Sequence, residues 1–126
     1  MKNDIPHLDF PIIDAHVHLY PDTLAPKVVP ALSERFGMWD EVEETLIGED
    51  VFLDLSHTFF WMPNEQILRM IRMHGAHRIL FGTDAPWQDP ETVLSEFLKL
   101  PLTDKERRAI CYESAFELFK LDSSLQ

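Results

Sequence analysis

With 126 residues, 22 of them acidic and 11 basic, the chain has a formal net charge of −11, which disfavours nucleic-acid phosphates and anionic membrane surfaces as partners. Hydrophobic residues at 45% and charged residues at 26% give the profile of one globular domain around one core, and no apolar stretch approaches the roughly 20 residues of a membrane span. Met1-Lys2-Asn3-Asp4-Ile5-Pro6 lacks the apolar centre of a signal peptide and the lone Cys111 excludes an internal disulfide framework, so a cytoplasmic location is expected, with Cys111 packed as a small hydrophobe.

The first element is a strand over residues 11–17, ending in Ile12-Ile13-Asp14-Ala15-His16-Val17-His18. Side chains alternate along a strand, so His16 and His18 share a face with Asp14, their Cα atoms roughly 6.6 Å apart. Two ring nitrogens so spaced can meet one ion at about 2.0–2.1 Å, although two histidines finishing a strand before Tyr20-Pro21-Asp22 is the plainer reading. Leu32-Ser33-Glu34-Arg35-Phe36 reads as a helix, and Trp39 to Ile47 as a second. The next strand covers residues 51–55, and His57 stands at its exit, either as a ligand or substrate contact or as a turn histidine bonded to backbone. Phe59-Phe60-Trp61 follows and suits core filling or an interface.

Pro63-Asn64-Glu65 opens a helix with Ile67, Leu68 and Ile71 inward and Gly75 as its C-cap. His74 falls in its last turn, where the helix dipole accounts for it; His77 and His7 receive no role. A third strand spans residues 78–82 and leads through Gly82-Thr83 to Asp84, which is either a site carboxylate or a turn residue before Pro86. Asp89-Pro90 starts a helix carrying Val93, Leu94, Phe97 and Leu98 and stopped by Pro101. Thr103 and Glu106 form a capping-box pattern ahead of a helix expected to run through Leu121. Strands alternate with helices, the βαβ pattern of an α/β fold.

The segments Asp14-x-His16-x-His18 and Gly82-Thr83-Asp84-Ala85-Pro86 resemble the amidohydrolase superfamily, in the amidohydrolase-related group that includes some decarboxylases. There, D-x-H-x-H ends the first barrel strand and G-[TS]-D-x-P the eighth. The resemblance implies that His16, His18 and Asp84 are metal ligands, that Asp84 is the catalytic acid/base, and that His57 is a possible further ligand or substrate contact. Val51 to Ser56 is similar to the family's seventh strand and Leu102 to Ile110 to its closing helix.

An eight-unit barrel takes about 250 residues, so the resemblance also implies a single shortened domain over 1–126, with the middle strands missing near residues 36–38. What remains is a partial TIM-barrel-like set of βα units, a three-stranded parallel sheet in the order second, third, first, with flanking helices. The implied function is that of a metal-dependent hydrolase. A divalent ion, zinc in the first place, lowers the pKa of its water to about 7 for attack on a small-molecule amide, ester or lactone. A decarboxylase of the same superfamily is one alternative; a catalytically inactive remnant or assembly module is the other. The former barrel interior, with Leu53 or Leu55 and Phe81, is expected to face water and drive a homo-oligomer.

Overall fold

The computed structural model describes residues 5–16 and 39–122. His18, the expected helix at residues 32–36 and the expected junction at residues 36–38 lie outside them. In chain order follow α1 (Trp39–Thr45), β1 (Leu53–Asp54), α2 (Asn64–His74), a 3-10 turn (Ala76–Arg78), β2 (Ile79–Leu80), α3 (Pro90–Leu98), α4 (Asp104–Arg108), a π-helical turn (Ala109–Glu113) and α5 (Ser114–Leu118). β1 and β2 are parallel, Leu53 opposite Ile79 and Asp54 opposite Leu80, with α2 as the crossover.

Among the described residues the sheet has two strands, and the strand expected over residues 11–17 is not formed. Residues 13–16 nevertheless lie beside the exit of β2: Ala15 N–H donates to Phe81 O (2.9 Å) and Asp84 N–H to His16 O (2.6 Å). A regular ladder fails because other acceptors take its donors. The Asp14 carboxylate accepts the N–H groups of both His16 (3.2 Å) and Thr83 (3.0 Å), and Ile13 N–H goes to Cys111 O (2.7 Å). A short polar side chain that bonds nearby backbone competes with strand pairing in this way.

Local chemistry sets the helix ends. Asp89 accepts from Thr92 N–H (2.9 Å) ahead of Pro90, and Thr103 with Glu106 forms both bonds of a capping box. Gly75, at φ 99°, ends α2 in a conformation that favours glycine. α1 lies on α2 through Glu43, which accepts from Arg69 (2.6 and 3.0 Å) and Gln66 (3.0 Å); the guanidinium, then the amide, holds the Glu43 carboxyl below its usual value. In the widened π turn, the carbonyls of Ile110 and Cys111 accept from Phe81 N–H (3.0 Å) and Ile13 N–H (2.7 Å), fastening the closing helix to both strand-exit segments. That helix stops at Leu118, short of Leu121, and its apolar stripe is only partly used, since Phe119 is exposed.

The core joins Leu55, Ile79 and Phe81 to Ile67 and Ile71 of α2, Val93 and Phe97 of α3, and Leu100, Ile110 and Cys111. Phe81 meets Phe97 edge to face at 5.8 Å between ring centres. Leu55 and Phe81 therefore do not face water: they are 5% and 2% exposed, because the helices close over the sheet where the barrel analogy left it open. Leu53 is half-buried. Burial pushes the Cys111 thiol up to about 12, so it stays protonated and inert. No described helix is long and apolar enough to cross a membrane.

His74 does more than sit in a helix dipole. Its ring is buried; Nδ1 accepts Gly48 N–H (3.0 Å), and Nε2–H donates to Val51 O (2.7 Å). The ring thereby anchors the loop that feeds β1 to the end of α2.

Candidate functional site

Parallel strands leave a sheet at one edge, so the residues after β1 and β2 come out side by side, next to residues 14–16. Three carboxylates, two imidazoles and two hydroxyls converge there. Asp84 is 3% exposed and stands at φ 59°; its N–H bonds His16 O (2.6 Å) and its carbonyl closes a turn onto Trp87 N–H (2.9 Å). His57 has φ 57°. Two non-glycine residues in the left-handed region face each other, and such strain concentrates at functional sites.

Their side chains meet. His57 Nε2 contacts Asp84 Oδ2, while His16 Nε2 is 3.0 Å from Asp84 Oδ1. The other ring nitrogen of His16, Nδ1, is 3.1 Å from both oxygens of Asp54 and 2.9 Å from Ser56 Oγ. Asp14 turns to the backbone instead: besides the Thr83 N–H it accepts the Thr83 hydroxyl (2.5 Å), and it braces the fully buried Thr83 turn that aims Asp84.

Carboxylates thus face both nitrogens of His16. A neutral imidazole donates from one nitrogen only. With Nδ1 giving its hydrogen to Asp54, the Nε2 lone pair would face Asp84, and a cation between them would be held by both. The 3.0 Å between Nε2 and Oδ1 is a hydrogen-bond separation that also leaves both atoms close enough to bind one ion. An imidazole that gives its second N–H to a carboxylate is also the usual outer arrangement of a metal-ligating histidine. Among the described residues, no group of three or more His, Cys, Asp or Glu side chains is arranged to hold a metal ion. The third ligand expected from the sequence, His18, lies outside them.

The structure therefore brings together His16, His57 and Asp84, and leaves His74 elsewhere in the fold as an anchor. Sequence reasoning missed Asp54 and Ser56 as site residues. The signal was present: Val51-Phe52-Leu53-Asp54 ends an apolar run in a carboxylate, as the segment before Asp84 does. Gly82 is the third omission. A Cβ there would stand 2.9 Å from His16 Cβ and 3.1 Å from Asp54 Oδ1, so the His16–Asp54 contact needs a glycine between them. Of the aromatic cluster, Phe59 fills the core, whereas Phe60 and Trp61 are exposed.

A family model described as amidohydrolase matches residues 36–121, more than half of the chain. Among solved structures, a dihydroxybenzoic acid decarboxylase from Polaromonas sp., with bound manganese and the inhibitor 2-nitroresorcinol, is 27% identical with a TM-score of 0.52, over 67% of this chain and 23% of that one. A 2,6-dihydroxybenzoate decarboxylase from Rhizobium is 26% identical with a TM-score of 0.53, over 71% and 25%. A 2,6-dihydroxybenzoate decarboxylase complexed with 2,6-dihydroxybenzoate is 25% identical with a TM-score of 0.52, over 69% and 24%. The chain spans about a quarter of the length of these enzymes. No curated protein was found to match the sequence.

Proposed function

This chain belongs to the amidohydrolase family, and we propose that its strand-exit cluster is a metal-dependent decarboxylase site for a small aromatic carboxylate. The observation that carries the proposal is the meeting of His16 Nε2 and His57 Nε2 on the single buried carboxylate of Asp84. His16, His18 and Asp84 would hold the ion, with His57 as a further ligand or substrate contact. Imidazole and carboxylate donors suit zinc and manganese alike, and the Polaromonas neighbour carries manganese. Lewis-acid polarisation of substrate oxygens is the chemistry such an ion supplies when bound.

The chain's own residues supply the proton. Loss of CO2 breaks a carbon–carbon bond and leaves the electron pair on the ring carbon, which must then be protonated. Asp84 would carry that proton on Oδ2, the oxygen in contact with His57 Nε2, leaving Oδ1 for the ion, and deliver it to the ring carbon. In hydrolysis the same carboxylate would take a proton from the attacking water and pass it to the leaving group. The likeness to dihydroxybenzoate decarboxylases favours loss of CO2.

The test is calorimetry of the purified chain with Mn2+ and with Zn2+, followed by CO2 release from 2,6-dihydroxybenzoate and acid release from a panel of esters and amides. Binding of one ion with CO2 release is expected. Ester or amide hydrolysis without CO2 would move the assignment to the hydrolases, and no metal binding would remove it. A second reading, a non-catalytic assembly module, is favoured by the exposed aromatic rings of Phe60 and Trp61 beside the site segment. Metal binding without turnover is its expected signature.

Self-association is part of the proposal. Phe60 is 63% exposed, and Trp61, Met73 and Phe119 are also open to solvent. Each Å² of such surface covered stabilises an assembly by about 25 cal/mol, and a two-fold homodimer is the commonest way to cover it. Sedimentation equilibrium is expected to give more than the monomer mass of 14.7 kDa; a lone monomer across the micromolar range would refute it.

A further inference from the structure

We propose that Asp54, braced by Ser56 and given room by Gly82, is the positioning residue that fixes the ring of His16 with its hydrogen on Nδ1 and its lone pair on Nε2. Three oxygens surround Nδ1: both of Asp54 at 3.1 Å and the Ser56 hydroxyl at 2.9 Å. Asp54 Oδ1 already accepts the Ser56 N–H (2.9 Å) and contacts its hydroxyl, so the carboxylate faces the ring as an acceptor. Acceptors face both ring nitrogens, but three oxygens stand at Nδ1 against one at Nε2, so the neutral ring keeps its hydrogen on Nδ1 and turns its lone pair toward Asp84, 3.0 Å away. The pair bridges two elements, Asp54 from β1 and His16 beside β2, and Gly82 lies between them without a side chain to separate them.

Asp54→Asn is the informative variant. The Ser56 N–H and hydroxyl need an acceptor at the Oδ1 position, so the asparagine oxygen stays there. Its amide nitrogen then takes the Oδ2 position, 3.1 Å from Nδ1 in the native arrangement. A donor now faces Nδ1 at that position, leaving it the asparagine oxygen and the Ser56 hydroxyl, while the full carboxylate of Asp84 still stands at Nε2, so the hydrogen shifts toward Nε2. The consequence for metal binding rests on the site proposed above, because a protonated Nε2 cannot ligate; the tautomer itself does not depend on it. Loss of such an outer partner lowers metal affinity by roughly 10- to 100-fold.

The experiment is long-range 1H–15N spectroscopy of the full chain without metal, with the His16 signals identified from their loss in His16→Gln, alongside calorimetry with Mn2+. Wild type is expected to show Nδ1–H and a lone-pair Nε2. Asp54→Asn should reverse this and lose roughly 10- to 100-fold in Mn2+ affinity, while Ser56→Ala, which keeps the carboxylate, should retain the wild-type tautomer. A wild-type His16 protonated on Nε2 overturns the proposal whatever the variants do. So does an unchanged tautomer with unchanged Mn2+ affinity in Asp54→Asn, a result that leaves the metal site standing. If the tautomer reverses but neither protein binds Mn2+, the positioning role holds and the metal site fails.

Discussion

Asp84→Asn is expected to lower CO2 release by about 10² to 10⁴-fold, the usual range for removing a general acid, with the fold intact. The substitution keeps what shapes the turn. The Asp84 N–H still donates to His16 O, and its carbonyl still accepts from Trp87 N–H. Asparagine also tolerates the left-handed conformation, φ 59°, that Asp84 adopts. What changes is the charge between His16 and His57, and with it the capacity to hold a proton or an ion there. Metal affinity should fall with the rate, so the variant is informative even for a chain without turnover. Turnover and Mn2+ affinity both within about threefold of wild type, at an unchanged thermal midpoint, would exclude Asp84 from the site. Asp84→Ala is the poorer test, because alanine at positive φ adds strain of about 1–2 kcal/mol to the loss of the carboxylate.

How much of this was legible in the sequence depended on how local each feature is. The Thr103 and Glu106 capping box, the Asp89-Pro90 start and the Gly75 stop involve partners within a turn, and each is where the residues indicate. The strands were readable as apolar runs but not in extent. The run at residues 51–55 pairs only at Leu53–Asp54 and that at residues 78–82 only at Ile79–Leu80; residues 11–16 pair with neither as a strand. A ladder requires two segments to agree, and the bonds of Asp14 to Thr83 and His16 are invisible until the segments meet.

The candidate site followed the same division. His16, His57 and Asp84 were readable as polar residues at strand exits. Asp54 was not, because a carboxylate at the end of a strand acquires a role only from the ring opposite it, 38 positions away in sequence. The barrel analogy misled where it substituted for packing. It placed Leu55 and Phe81 on an open face, yet α2, α3 and the π turn contribute Ile71, Phe97 and Ile110 to the core that encloses them.

His74→Ala is expected to lower the stability of the folded chain by about 2–4 kcal/mol, the range for a buried side chain whose loss leaves both a cavity and unpaired polar groups. The ring is 2% exposed, so truncation empties space that the α2 end and the 48–51 loop enclose. Two main-chain groups lose partners as well, the Gly48 N–H and the Val51 carbonyl. Both residues are themselves exposed, so water can replace part of those bonds, which keeps the expected loss below the sum of two buried vacancies. His74→Phe separates the contributions. It retains most of the volume and neither hydrogen bond, and should cost about 1–3 kcal/mol. Guanidinium denaturation followed by circular dichroism measures both variants. A His74→Ala midpoint corresponding to less than about 0.5 kcal/mol, the size of an ordinary surface change, would show that the ring is not the anchor. Because the anchored loop runs directly into β1 and Asp54, His74→Ala should also loosen the Asp54–His16 contact and broaden the His16 signals well below the unfolding transition. His74→Phe, which holds the loop by packing alone, should broaden them less.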